Sequence, residues 1–426
     1  MSPLDYALKR LNAFIDEAER LKELEFPYPH SHEALKALAA LFESGKKWLE
    51  LIDPGDTDVV INECALALEL LFEYLPLLGF VLRSTNVRNA FESYGPLLRL
   101  SHAVLEPKVL RRRRKTQLLL SSEWDYSPFT YTGIRDMPSF VLIGMPAPES
   151  SNPLLLPLAG HELGHSLWPK SVSLLDRIDQ YQKTILSIIE QNWDDYLDAF
   201  PQLGKITFDK LDTSLFKFET FDKAVSWILR QAEESFCDFV GLRIFGTSYL
   251  HAFAYLVSPT FSSPRPVNYP NLTTRTGNLL LAAKKYHISV PTQYASLFRA
   301  MKDPDLPRGD AFQLFLADQT LGIHIESIMV EASNAIKLAG VPLPQRTTAT
   351  KIYERFKRVV PAEGARSLAD IINAAWVAYE DPKLWESFPR IRENRDRVLR
   401  ELVLKNIEVY EIEQILRDKR RRRPRK

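Results

Sequence analysis

The 426-residue sequence is short of cysteine, of net charge and of uncharged apolar runs, and each shortage removes a class of protein. Cys64 and Cys237 are its two cysteines, far apart in the chain; this excludes a disulfide scaffold and fits a reducing compartment. A formal net charge of +1 gives no global pull toward nucleic acid or a membrane surface. The most apolar window, residues 64–82, carries Glu69, Glu73 and Pro76, whereas a spanning helix needs about 20 mostly uncharged residues. That window reads as a buried core helix, so no membrane span is expected. Residues 1–10 mix charges through an amphipathic pattern instead of building an apolar h-region, so no signal peptide is expected and the location read is cytoplasmic. No internal repeat is visible.

What is present is ordinary in bulk and specific in detail. The chain is 45% hydrophobic and 26% charged, as soluble globular proteins are, and is long enough for two or three folding units. Apolar periodicity predicts helices over 4–24, 32–51 and 59–82. From 116 to 145 the character changes, with short strands expected at 117–120, 129–132 and 139–143, joined by turns such as that at Tyr131–Gly133. Helix returns near Pro157, with long amphipathic stretches at 172–200 and 222–256 and a proline-rich loop at 259–270. Further helices are expected at 279–286, 291–301, 310–338 and 367–376. A linker at 343–347 and a charged run at 390–417 complete the pattern. The fold class read from this is mainly α with a small mixed β-sheet (α+β).

Eight histidines occur in the whole chain, and two of them lie in His161-Glu162-Leu163-Gly164-His165. Residues four apart share one face of a helix, so both imidazoles can reach one metal, with Glu162 near enough to act on a water there. Leu154, Leu155, Leu156 and Leu158 before the motif, and Leu167 and Trp168 after it, are what a core helix needs. Pro157 suits a first turn and Pro169 a stop, giving a helix over about 157–168. A catalytic zinc takes a third protein ligand and leaves one position for water. Glu234 and Asp238 are four apart on the helical 222–245 stretch. One carboxylate can bind metal while the next, a turn on, accepts the free N–H of a ligand histidine, with His161 the expected partner of Asp238. Glu233 is a rival ligand.

HELGH followed by Glu234-Ser-Phe-Cys-Asp238 resembles the gluzincin zinc peptidases, whose pattern is HExxH and then ExxxD. Among these it is most similar to the CAAX-prenyl-protease and heat-shock membrane-metalloprotease kind. Tyr269-Pro270, followed by Arg275, resembles that family's His-Pro…Arg segment, with Tyr269 where the family has His. The resemblance covers roughly 135–280 and departs from the family in lacking a membrane part. It implies a zincin-like catalytic core at 111–290, with its sheet at 116–145. An N-terminal helical region at 1–110 and a C-terminal one at 291–426 would flank that core. It implies Zn2+ held by His161, His165 and Glu234, catalysis by Glu162 with Tyr269 as oxyanion donor, and Asp238 and Arg275 supporting them. Tyr249, His251 and Tyr255 compete with Tyr269 for the donor's place, and Tyr269 can equally be a turn residue before a proline. The strand at 139–146 resembles the gluzincin edge strand that pairs with an extended substrate, or is an ordinary core strand.

The function expected is thus a zinc metallopeptidase acting on a peptide or protein substrate. The alternative is a helical interaction or regulatory protein whose HExxH zinc site is structural or vestigial. Charge is extreme only locally, at 111–115 and in the tail 419–426, where seven residues of eight are basic. Such runs are usually solvated, and contact with nucleic acid, anionic lipid or an acidic partner is the minority reading. No aromatic residues interleave them, which weakens single-strand binding.

Overall fold

A computed structural model describes residues 2–86, 90–106, 116–124, 129–131, 137–171, 173–213, 217–258 and 264–422. The basic run at 111–115, most of the turn expected after Tyr131 and the last four residues of the basic tail lie outside them. The protein is mainly helical with a small mixed sheet, as the periodicity predicted. The chain forms two compact units, residues 1–102 with 110–153, and residues 103–109 with 154–426. Their division falls elsewhere than at 110 and 290. The short strands belong with the N-terminal helices, and the HELGH stretch belongs with everything after it.

In the first unit, α1 (Pro3–Lys22) starts at a capping box, Asp5 N donating to Ser2 Oγ and Ser2 N to Asp5 Oδ2. Its buried Leu11, Ala18 and Leu21 pack on α2 (His30–Glu50), where Phe14 and Phe42 meet edge to face at 5.5 Å. The third helix, α3 (Thr57–Arg83), departs from the expected core helix. Leu71, Tyr74, Leu77, Leu78, Phe80 and Val81 are buried, but Leu66, Phe72 and Leu75 on its other face are 58%, 64% and 46% exposed. Among the described residues it alone is long and apolar enough to cross a bilayer, with 41% of its most apolar window buried. A fourth helix, α4 (Ala90–Leu105), leads toward the sheet.

The sheet has the order β1-β3-β2. β1 (Gln117–Glu123) runs parallel to β3 (Phe140–Pro146) from Gln117↔Phe140 to Glu123↔Pro146. β2 (Phe129–Tyr131) pairs antiparallel with Leu142–Gly144 on the other side of β3. Of the two readings for 139–146, the edge strand fails and the core strand holds: β3 is the central strand, and its backbone is committed to two neighbours at Leu142–Gly144. Side chains occupy the outer side of β1. Leu120 N donates to Tyr28 Oη at 2.7 Å, and that hydroxyl donates to Leu120 O. Leu118 N donates to His30 Nδ1 at 3.1 Å, and His102 Nε2 meets Thr116 O at 2.8 Å.

The second unit carries the HELGH helix, α5 (Leu158–Ser171), which runs through Pro169 instead of stopping there. The stretch at 172–200 forms two helices, α6 (Leu174–Gln191) and α7 (Trp193–Ala199), broken at Asn192. That at 222–256 likewise divides into α8 (Lys217–Phe245) and α9 (Thr247–Val257), broken at Gly246 with φ 63°. α10 (Leu272–Lys285) follows, but the helix expected at 291–301 is one 3₁₀ turn at Tyr294–Leu297. α11 (Arg308–Leu338) lies along α8, burying Leu314, Ala317, Leu321, Ile328, Met329 and Ile336. Residues 341–345 lead into α12 (Arg346–Phe356), α13 (Leu368–Glu380), α14 (Pro389–Arg392) and α15 (Arg395–Arg422), so the linker expected at 343–347 lies earlier and its last two residues are helical.

Candidate metal centre

Small residues set the crossing of α5 and α8. A Cβ added at Gly164 would stand 2.7 Å from Cys237 Cα, and one at Gly160 would stand 3.2 Å from Gly241 Cα. Glycines at that spacing let α5 lie directly on the α8 backbone. The same face of α5 carries His161 and His165, so the close approach brings both rings against residues 233–238. The pair of rings meets edge to face at 5.1 Å.

The ring nitrogens then divide into two sets. Each Nδ1 faces its own carboxylate: His161 Nδ1 is 3.0 Å from Asp238 Oδ1, and His165 Nδ1 is 3.0 Å from Glu233 Oε1. Both Nε2 atoms converge on Glu234, His161 at 3.3 Å from Oε2 and His165 at 3.7 Å from Oε1. The carboxylates are themselves held. Arg275 donates to both oxygens of Asp238 at 2.5 and 2.8 Å, Tyr249 Oη donates to Asp238 Oδ1 at 2.6 Å, and Arg230 donates to Glu233 Oε2 at 3.1 Å. Tyr249 is fully buried, and its ring fits because residue 241 is glycine: a Cβ there would sit 2.4 Å from Tyr249 Cε2.

Charge follows burial and neighbours. Burial disfavours a charged His161, but the carboxylates of Asp238 and Glu234 outweigh it and raise the ring to about 10 in the metal-free protein. Burial would likewise raise Asp238 and Glu234. Arg275 and His161 overcome this for Asp238, and His161 chiefly for Glu234, so both stay below the usual carboxylate range. Glu162, 4% exposed, goes the other way: burial raises it, with Glu234 adding to the effect and His161, His165 and Arg275 opposing it. Burial holds the Cys237 thiol protonated.

No protein-family model, curated protein or solved structure matches the chain. What the residues can do rests on the donor set itself. With His161 neutral, as metal binding requires, ionised Glu162, Glu233, Glu234 and Asp238 against the guanidiniums of Arg230 and Arg275 leave two negative charges that a dication would balance. Glu234 Oε2 is buried without a hydrogen bond, although His161 Nε2 and Arg275 Nη2 lie 3.3 and 3.5 Å away. A buried carboxylate that two imidazole nitrogens face, with one oxygen left without a hydrogen bond, fits a metal ligand. Cys237 also offers Sγ, within 4.8 Å of donor atoms on both histidines.

His161, His165, Glu234, Asp238 and Arg275, singled out from the sequence, are thus brought together. Tyr269 stands at the margin, 39% exposed, with Arg275 Cζ 5.6 Å from its ring centre. Burial, with Glu234 next, pushes its phenol up to about 12, so it keeps its proton at neutral pH. Its segment is pinned by Gln231 Nε2 donating to Val267 O at 3.0 Å, and by buried Arg265 reaching Asp303 at 2.6 Å and Asp318. The rivals are placed elsewhere. His251 stacks on Trp376 at 4.9 Å and pairs with Glu380, Tyr255 meets the same Trp376, and the Tyr249 hydroxyl is taken by Asp238. Glu233 faces His165 Nδ1 instead of the point where the Nε2 atoms meet. Its role, and that of Tyr249, were missed by sequence reasoning. Glu233 and Asp238 are five apart, which on a helix gave no signal of a shared duty.

Proposed function

We propose that the chain is a zinc-dependent metallopeptidase. The observation that carries the reading is the division of ring nitrogens: both Nδ1 atoms are engaged by carboxylates, and both Nε2 atoms face the one carboxylate with an unpartnered oxygen. His161, His165 and Glu234 would hold the metal, and a bound zinc would supply Lewis acidity and lower the pKa of water toward neutrality.

The chain's own groups do the rest. Asp238 and Glu233 keep the two imidazoles turned with Nε2 inward and their protons on Nδ1. Glu162 takes a proton from the attacking water and returns it to the leaving amine nitrogen, a task suited to a carboxylate whose basicity burial raises above the ordinary. Tyr269, protonated at neutral pH, donates to the oxyanion that develops on the scissile carbonyl, and Arg275 holds Asp238 in place.

The test is metal content together with turnover of a peptide library. Wild type is expected to carry about one zinc per chain, lost or weakened in His161→Ala and Glu234→Ala. Glu162→Gln is expected to keep zinc while cleavage falls by a factor on the order of 10² or more. A fully active Glu162→Gln would overturn the mechanism.

One observation favours a second reading. Cys237 beside both histidines makes four potential donors with Glu234, and four protein donors close a zinc site into a structural one. Cobalt substitution separates the two. A thiolate-to-cobalt charge-transfer band that vanishes in Cys237→Ala supports the closed site, and a spectrum unchanged by that substitution supports the peptidase.

A further inference from the structure

The C-terminal helix presents a surface that the metal chemistry does not use. α15 packs on α13 with Leu399, Leu402, Val403 and Ile407 buried, and its buried Asn406 bonds the backbone of Ala362. Beyond them the helix continues through Arg422 while its character reverses: Ile412, Ile415 and Leu416 are 45%, 39% and 49% exposed. At 100° per residue these three lie opposite the packing stripe, and Lys419, also exposed, shares their face. The residues that follow are almost all cationic, with seven basic side chains among 419–426. The acidic groups beside them are partly engaged: Glu413 pairs with Arg417 at 3.3 Å and accepts from Gly364 N at 3.0 Å.

We propose that this end of α15, with its basic residues Lys419, Arg420, Arg421 and Arg422, docks the protein on an anionic lipid bilayer. A helix with aliphatic residues on its outer face and a dense basic cluster suits the acyl–headgroup boundary: the aliphatics enter the apolar side and the cations meet lipid phosphates and carboxylates. Nucleic acid fits the charge but not the aliphatics. Residues 412–426 contain no aromatic side chain on which a base could stack, and phosphate contacts alone leave Ile412, Ile415 and Leu416 without a role. The surface is independent of the metal centre, and the proposal stands whether or not the chain is a peptidase.

The experiment is flotation of the full chain with vesicles of phosphatidylcholine alone, and of phosphatidylcholine with phosphatidylserine. Two variants accompany it, one combining Ile412→Ser, Ile415→Ser and Leu416→Ser, the other replacing Lys419, Arg420, Arg421 and Arg422 by Gln. Circular dichroism checks that each retains its helices, as exposed positions should. Wild type is expected to favour the anionic vesicles, and each variant to bind them at least about tenfold more weakly. Equal partition onto both vesicle types, or undiminished binding by the triple serine variant, would overturn the proposal. Single-stranded RNA or duplex DNA bound equally well by wild type and the triple serine variant, with no vesicle binding by either, would replace it with a nucleic-acid contact.

Discussion

A histidine ligand needs a defined tautomer, and here each ring is oriented by a carboxylate that is itself restrained. The two restraints differ in kind. Asp238 is buried among Arg275, Tyr249 and His161, whereas the Arg230 that holds Glu233 is largely in solvent. Tyr249→Phe removes a buried hydrogen bond to a carboxylate without opening a cavity. It is expected to weaken zinc binding by about tenfold or more and to cost about 1.5–3 kcal/mol of stability. Competition with a chromophoric chelator and a denaturant titration measure the two. Arg230→Ala should do less, since an exposed pair contributes little. Acidity matters with a definite sign. His161 must be neutral to bind metal, yet in the metal-free protein its proton is retained up to about 10. Zinc bound at the proposed site would therefore displace a proton at neutral pH, and its affinity should rise by about tenfold per unit from pH 7 to 8. Calorimetry in buffers of different ionisation enthalpy counts that proton. The same raised value stabilises the metal-free fold below the ordinary histidine range, and this contribution is lost as pH rises toward 10. Chelated protein should accordingly lose melting temperature over that interval.

Among the elements, α5 and α8 make the closest approach of backbone to a described glycine, at Gly164. Gly164→Ala places a methyl against Cys237 Cα, which is backbone and cannot rotate away. The expected cost is about 1–3 kcal/mol together with loss of zinc, and adding Cys237→Ala should not restore either. Gly322 in α11 is the control: nothing lies within 4 Å of an added Cβ, so Gly322→Ala should stabilise by about 0.5–1 kcal/mol in thermal melts. This contrast shows what could be read from the sequence. The α5 face and the Glu234/Asp238 turn were legible because helical periodicity puts residues four apart together. The glycines beneath were not, because their meaning depends on which backbone crosses them. The breaks at Asn192 and Gly246 were hidden by apolar periodicity that runs on through both. β3 read correctly as a strand, but a short apolar run does not say which neighbours it will pair with, and so the choice between an edge and a core strand stayed open until the sheet order decided for the core.

At the scale of the molecule, the residues of the proposed metal site and the sheet belong to different compact units. Removing zinc should therefore be felt unevenly. Hydrogen exchange after chelation is expected to speed at α5 and α8, which the ligands join, and to stay unchanged in α1, α2 and β1. Uniform loss of protection along the whole chain would show that the units do not open separately.

The histidine on the outer side of β1 gives the first unit a chemical weakness of its own. His30 receives the Leu118 amide through a nitrogen that is free to accept only while unprotonated. Burial lowers its affinity for a proton below that of an unfolded histidine. Its contribution to stability is therefore complete above about pH 6.5 and declines as the solution is acidified. Mild acid should loosen the Tyr28–His30 clasp on β1, and His30→Gln, which cannot take up a proton, should lose much of that response.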